Sequence, residues 1–304
     1  MNAADVNPIN RDFGIPGQVT FKDGPGGLTV AEVTNSLAAA TIALQGAHVM
    51  TWAPRGESPV LWLSRAAKFA PSKSIRGGVP VCWPWFGPHA KEASFPGHGY
   101  ARTVPWAVVQ TEALAGGATR LAFRLIETAT TRAQWPHPSE ATLVVTVGRT
   151  LALDLVTRNT GKEPIVIGDA LHTYFEVSDI RNVKIRGLEG CPYIDKMDNG
   201  NRKRQEGPVI IGAETDRIYL DSAADCLIED PGLKRRVRIA KRGSRSTVVW
   251  NPWIEKAAKM GDFGENGYLN MVCVESANAA EDVVTVAPGG AHSLQVVYGV
   301  ERLS

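Results

Sequence analysis

The sequence has almost no net charge. Across 304 residues, 33 Lys+Arg stand against 31 Asp+Glu, a formal balance of +2. A dedicated nucleic-acid-binding domain is usually strongly basic, so this balance argues against one while leaving room for a local anionic ligand. Cysteine is scarce: Cys82, Cys191, Cys226 and Cys273 lie far apart, with no C-x-x-C pair. That excludes a disulfide scaffold or zinc ribbon and fits reduced thiols in a cytosol. Long hydrophobic runs are missing, and the most apolar early stretch, residues 37–44, is too short to span a bilayer. The opening MNAADVNPINRDF has no basic segment followed by an apolar one, so no signal peptide is expected. G-x-x-x-x-G-K-[ST], strand-linked G-x-G-x-x-G, H-E-x-x-H and G-x-S-x-G are all absent. Nucleotide-dependent, metalloprotease and serine-hydrolase chemistry therefore has no support. The expectation is a soluble, cytoplasmic chain with no nucleic-acid or membrane partner, acting as a monomer without metal or cofactor.

Glycine and proline, by contrast, are plentiful. With 30 glycines and 19 prolines they make up about one residue in six, above the usual share of roughly 12%. Such an excess favours short elements joined by tight turns. Alternating or β-branched runs recur at residues 28–33, 39–44, 60–63, 120–126, 141–147, 151–157 and 164–177. They continue at 209–211, 236–239, 247–250, 270–275, 283–286 and 293–300, mostly bounded by Gly, Pro, Asn or Asp. The stretch 141–159 reads as a hairpin across Gly148, and the only helix expected is a brief one around 254–260, after Pro252. No linker or repeat divides the chain. The expected fold class is all-β: a tail over residues 1–12, then one large antiparallel β-sandwich over 13–304.

The densest chemical signal is SIRGGVPVCWPWFGP, residues 74–88. Gly77 and Gly78 allow backbone conformations closed to other residues, and Pro80, Pro84 and Pro88 forbid a helix. Arg76 thus sits on a rigid irregular loop beside Trp83, Trp85 and Phe86. A guanidinium held this way can grip a phosphate or carboxylate in a fork, and the rings can stack on sugar faces. The loop could equally plug the end of the sandwich, with Arg76 capping carbonyls. In PGHGYAR, His98 stands between two glycines that leave its ring accessible; Arg102 is a second anion contact and Lys91 a poorer third.

Two strands could carry acid–base chemistry. Over residues 165–177, IVIGDALHTYFEV, a period of two puts Val166, Gly168, Ala170, His172 and Tyr174 on one face. The small residues ahead of His172 leave open space above the sheet. The other face is core, with Asp169 as an exception. Over residues 270–278, NMVCVESAN, both faces are apolar except at Glu275, and a buried glutamate is costly unless paired or placed in a cleft. A carboxylate near a histidine in such a setting is the raw material of general acid–base catalysis. Either residue could instead be structural, through a carbonyl contact or an ion pair.

Asp195, Glu214 and Asp216 read as turn or surface acids, and WNPW, residues 250–253, as a strand end whose Trp250 and Trp253 could line the same mouth. The run KRRVRIAKRGSR, residues 234–245, holds seven positive charges and no acid. Without interleaved aromatics or a recognisable module it reads as a solvated hairpin protecting an edge strand.

Taken in order, SIRGGVPVCWPWFG, PGHGYAR, DALHTYFEV, WNPW and CVESAN resemble the hexose-6-phosphate 1-epimerases, a branch of the aldose 1-epimerase, or galactose mutarotase-like, superfamily. The resemblance runs from about residue 20 to the C-terminus. It implies a large antiparallel β-sandwich and interconversion of the α and β anomers of a sugar 6-phosphate. It implies His172 as catalytic acid and Glu275 as catalytic base, with His172 protonated near neutrality. It places Arg76 and Arg102 on the phosphate, with His98 and Asp216 as further substrate contacts. The implied partner is a small-molecule sugar phosphate, glucose 6-phosphate foremost, and no cofactor is required. Two other readings stay open at this point: a carbohydrate-binding sandwich without turnover, and an aldose 1-epimerase acting on unphosphorylated sugars.

Overall fold

A computed structural model describes residues 6–303. The short strands resolve into two eight-stranded antiparallel sheets, a four-stranded meander and a two-stranded ribbon. The meander runs through Val19–Asp23, Thr29–Thr34, Ala38–Ala43 and His48–Pro54. One large sheet is built around the hairpin Ser139–Val147 and Leu151–Asn159, which turns at Gly148 as the sequence suggests. Along both strands, buried residues alternate with partly exposed ones, so one face is committed to the interior. That interior holds Leu143, Val145, Leu153 and Leu155 together with Phe175, Val249, Val272 and Val274 from the other large sheet. The all-β expectation is thus met by packed antiparallel sheets.

Helix is confined, among the described residues, to Asn7–Phe13, Ala129–Gln134, Trp253–Met260 and short 3-10 turns. The last is the helix expected after Pro252. The first lies in the stretch read as a tail, where Ile9 and Phe13 pack against the core. The second is started by a capping box, in which Thr128 and Thr131 satisfy each other's backbone N–H groups. No helix among the described residues is long and apolar enough to cross a membrane.

Two expectations are corrected. The run 165–177 is not one strand but three pieces, Ile165–Ile167, Ala170–Leu171 and Tyr174–Glu176. The first pairs with Val284–Val286 in the separate ribbon, whereas the others join the large sheet beside Met271–Ala277. The break falls at Gly168, whose N–H donates to Pro84 O at 3.0 Å. A Cβ there would stand only 3.1 Å from the backbone nitrogen of Phe86. Val166 is consequently 55% exposed and does not share a continuous face with His172.

The basic run does not guard an edge. Strand Arg235–Arg242 is internal, hydrogen-bonded to Cys226–Asp230 on one side and Ala291–Arg302 on the other. Four of its charges meet specific partners. Arg236 pairs with Glu229 at 2.9 Å, Arg238 pairs with Asp225, and buried Arg235 donates to the carbonyls of Pro59 and Glu176. Burial pushes Lys241 down to about 8, and its ammonium donates to Ser246 O at 2.6 Å and Thr247 Oγ1 at 2.8 Å.

Candidate active site

The site lies on the second large sheet, where register aligns its side chains in two neighbouring rows. Asp216 is opposite Trp250, Trp250 opposite Cys273, and Cys273 opposite Tyr174. Two residues along, Ile218 is opposite Val248, and Val248 opposite Glu275. Directly opposed residues of an antiparallel pair project to the same face, so each row lies across one surface. His172 enters beside Glu275 from the gap between Leu171 and Tyr174, its N–H donating to Pro80 O at 3.0 Å.

Over this surface arch the segments carrying Arg76 and His98. The first requires glycine. Gly78 has φ +64°, and a Cβ there would sit 2.3 Å from Val49 O; Gly77 has φ +111°, with Trp62 O 2.5 Å away. Beneath the turn, fully buried His48 holds it through Nε2, 2.7 Å from Gly77 O. Burial pushes His48 down to about 4, so the ring is neutral and its Nε2–H is the donor. The result is a cleft of about 300 Å³ lined by Arg76, His98, Arg102, His172, Asp216 and Glu275. All six residues that the resemblance assigns to the site therefore face one cavity, at the small end of the usual range for ligand sites.

Arg76 is the most constrained of them. Its Nε donates to Asp262 Oδ1 at 3.1 Å, its Nη1 donates to Tyr174 Oη at 2.9 Å, and its head lies 5.7 Å from the Phe263 ring centre. Burial works against its charge, but Tyr174 and Asp262 outweigh that and raise its pKa. Arg102 donates to Gly97 O at 2.9 Å and, among the described residues, has no carboxylate partner. His98 adopts φ +65° between its glycines, and its Nδ1 accepts from Gly87 N–H at 3.3 Å. That acceptor role places the proton on Nε2. Burial, then Arg102 and Lys196, push His98 down to about 3, so it is a neutral hydrogen-bond donor.

His172 Nε2 stands 3.4 Å from Glu275 Oε1. The imidazole stacks on Tyr174 with ring centres 5.1 Å apart, and the edges of His98 and Trp250 close its flanks. Glu275 is only 1% exposed. Burial, then the charge of Asp216, push its carboxyl well above the ordinary range. Burial above all, helped by the charge of Arg102, pushes His172 well below 6.5. This corrects the expectation that His172 is protonated in the free site: the unliganded pair favours neutral imidazole beside protonated Glu275. The proton count is unchanged, since moving one proton from Glu275 to His172 gives the imidazolium–carboxylate form. His172 Nδ1 and Glu275 Oε2 are buried without a hydrogen-bond partner, an arrangement that native proteins seldom leave uncompleted by water or ligand.

Cys273 lies close enough that its sulfur, a nitrogen of His172 and an oxygen of Glu275 fall within 4.8 Å of one another. A metal there would want a thiolate. Burial and Glu275 instead push the thiol well above its ordinary pKa, and it packs among Trp62, Tyr174 and Trp250. With the thiol protonated, the His172–Glu275 pair is left free for proton exchange.

Of the other sequence candidates, Phe86 and Trp250 line the cleft and the rest fall elsewhere. Asp195 binds Lys203 at 2.9 Å and caps Met197 N–H. Lys91 is exposed outside the cleft, and Trp253 packs on Tyr268 while Trp250 lines the cavity. The sequence reading missed Lys196, Lys256 and Met260, which line the cleft, and Asp262, which grips Arg76. Lys196 immediately follows Asp195, but only the pairing of Tyr193–Asp195 with Thr215–Tyr219 brings it to Asp216.

The site is thus a cleft on a β-sandwich in which a buried His–Glu pair faces two arginines, and the family of the chain follows from comparison. The sequence profile of the aldose 1-epimerase family matches residues 29–299, and the chain belongs to that family. Among its relatives, a protein of Escherichia coli K12 provisionally named glucose-6-phosphate 1-epimerase is 38% identical over 264 residues, covering 86% of this chain and 87% of that one. A plant protein from Cenchrus ciliaris with the same provisional name is 36% identical, covering 82% and 78%. The crystal structure of YeaD from Salmonella typhimurium, provisionally a mutarotase, superposes with TM-score 0.88 at 33% identity, covering 97% and 99%.

Proposed function

We propose that this protein interconverts the α and β anomers of a hexose 6-phosphate, glucose 6-phosphate foremost, by general acid–base ring opening and reclosure. The observation that carries the proposal is the His172–Glu275 pair, 3.4 Å apart in a cleft that also presents Arg76 and Arg102. Ring opening starts from the imidazolium–carboxylate form. Glu275 takes the O1 proton while His172 protonates the departing ring oxygen, breaking C1–O5 and leaving an open-chain aldehyde. After rotation about C1–C2 the roles reverse: His172 removes the O5 proton as O5 attacks C1, and Glu275 returns its proton to O1. Both groups end as they began, so the cycle needs no cofactor. Substrate hydroxyls would supply the solvation that a buried Glu275 carboxylate lacks in the free site.

Arg76 and Arg102 support the phosphate. A near-dianion is held far better by charge-assisted forked contacts than a hydroxymethyl group is by neutral ones. His98 and Asp216 complete the substrate contacts in this reading. Scattered cysteines and balanced charge fit a monomer working in the cytoplasm on a small molecule alone. The test compares α/β exchange of glucose 6-phosphate and of glucose by NMR exchange spectroscopy at equal enzyme concentration. Faster exchange of the phosphate is expected, and equal or greater activity on glucose would contradict the role given to the arginines.

A further inference from the structure

We infer that Lys196, paired with Asp216, is a specificity-determining residue that reads the ring hydroxyls farthest from the phosphate. The inference rests on the proposed sugar-phosphate reading and deepens it.

Asp195 is opposite Arg217, and Lys196 opens the 3-10 turn Lys196–Asp198 that follows, from which its ammonium reaches Asp216 at the end of the row. The row then runs from Asp216 through Trp250 and Cys273 to Tyr174, whose hydroxyl binds Arg76. Three strand spacings separate the backbones of Asp216 and Tyr174, roughly 14 Å. Arg76 and Lys196 therefore mark opposite ends of one surface, with Glu275 in the adjoining row between them. A hexose 6-phosphate with its phosphate at Arg76 and its C1–O5 bond at the His172–Glu275 pair directs its remaining hydroxyls toward Asp216 and Lys196.

The pair is built to be shared with a ligand. Lys196 Nζ is 3.4 Å from Asp216 Oδ1, longer than a well-formed charge-assisted hydrogen bond. The ammonium lies 5.7 Å from the centre of the Phe86 ring, which helps hold it over the cleft. Lys256, the neighbouring cation, is engaged by Glu214 at 2.7 Å. An ammonium next to a carboxylate offers donor and acceptor side by side, matching two adjacent hydroxyls of fixed relative configuration. A sugar with one inverted centre covers the pair while leaving one of the two groups unmatched, which is the strongest basis for rejecting a near-isostere.

The experiment measures kcat/KM of wild type, Lys196→Met and Lys196→Arg on glucose, mannose and allose 6-phosphates, whose inverted centres are at C2 and C3, and the inhibition constant of inorganic phosphate. In Lys196→Met we expect about a tenfold or larger loss on the preferred sugar, a smaller loss on its epimers and thus a collapsed preference. Phosphate inhibition should stay within about twofold of wild type, and Lys196→Arg should recover part of the preference. Equal loss on all three sugars, no loss at all, or a parallel loss of phosphate inhibition would overturn the inference. If wild type fails to exchange anomers, the functional reading fails separately. The same preference ratios are then read from calorimetric Kd values of the three sugar phosphates, with the same outcomes deciding.

Discussion

Asp262 and Arg76 lie 186 positions apart in sequence and 3.1 Å apart in space. The loop following helix Trp253–Met260 clasps the guanidinium from two sides, with the Asp262 carboxylate on Nε and the Phe263 ring beneath the head. Ser64 anchors the clasp, donating to the Asp262 carbonyl at 2.7 Å. Arg76 is therefore presented to the cleft in a fixed orientation, with only part of its fork left for a ligand.

Releasing that clasp should affect phosphate binding more than chemistry. Asp262→Asn is expected to raise KM for glucose 6-phosphate about two- to fivefold with little change in kcat, as befits a partly exposed ion pair worth up to about 1 kcal/mol. Activity on free glucose should not change. Steady-state kinetics on the two substrates checks this, and a kcat loss common to both would point to collapse of the loop instead.

Gly78→Ala tests the turn behind Arg76. The added Cβ meets Val49 O at 2.3 Å, in a backbone conformation at φ +64° that alanine resists. Urea unfolding should show a loss of more than about 1 kcal/mol. Because the turn also carries Arg76, phosphate affinity should fall alongside stability.

Asp169 gives a pH prediction away from the chemistry. Both its carboxylate oxygens are buried without hydrogen-bond partners, and burial, helped by the charge of Asp282, pushes its pKa up to about 8. The folded protein thus keeps a proton that the unfolded chain releases near 3.8. As pH rises through that window the unfolded state holds fewer protons, so this group costs stability progressively, levelling off above about 8. Asp169→Asn should match wild type near the low end of the window and exceed it in Tm at the high end. A gain of equal size at both ends would contradict the assignment.

Local pattern carried part of this structure and long-range pairing the rest. The hairpin across Gly148 was legible because its alternation commits one face to the core over both strands. Arg76, His98, His172 and Glu275 were legible because each stands out from its neighbours: a charge on a Gly–Pro loop, a ring between glycines, polar groups on apolar strands. The break of residues 165–177 was not, since its first interruption follows from the close approach of Gly168 to Phe86. Lys196 and Asp262 were equally hidden. Each looks like an ordinary surface residue until a strand register or a returning loop sets it against Asp216 or Arg76. The protonation of the pair depended on burial, which the sequence suggested for Glu275 and left as one of two readings for His172.

The most direct test of the account is anomer exchange of glucose 6-phosphate by NMR exchange spectroscopy in wild type, His172→Asn and Glu275→Gln, each checked for fold and for sugar-phosphate binding. The account predicts that both variants stay folded, still bind the sugar phosphate and lose on the order of 10²–10⁴-fold in exchange rate, the size of one general acid or base. A folded variant of either kind exchanging at the wild-type rate would contradict it.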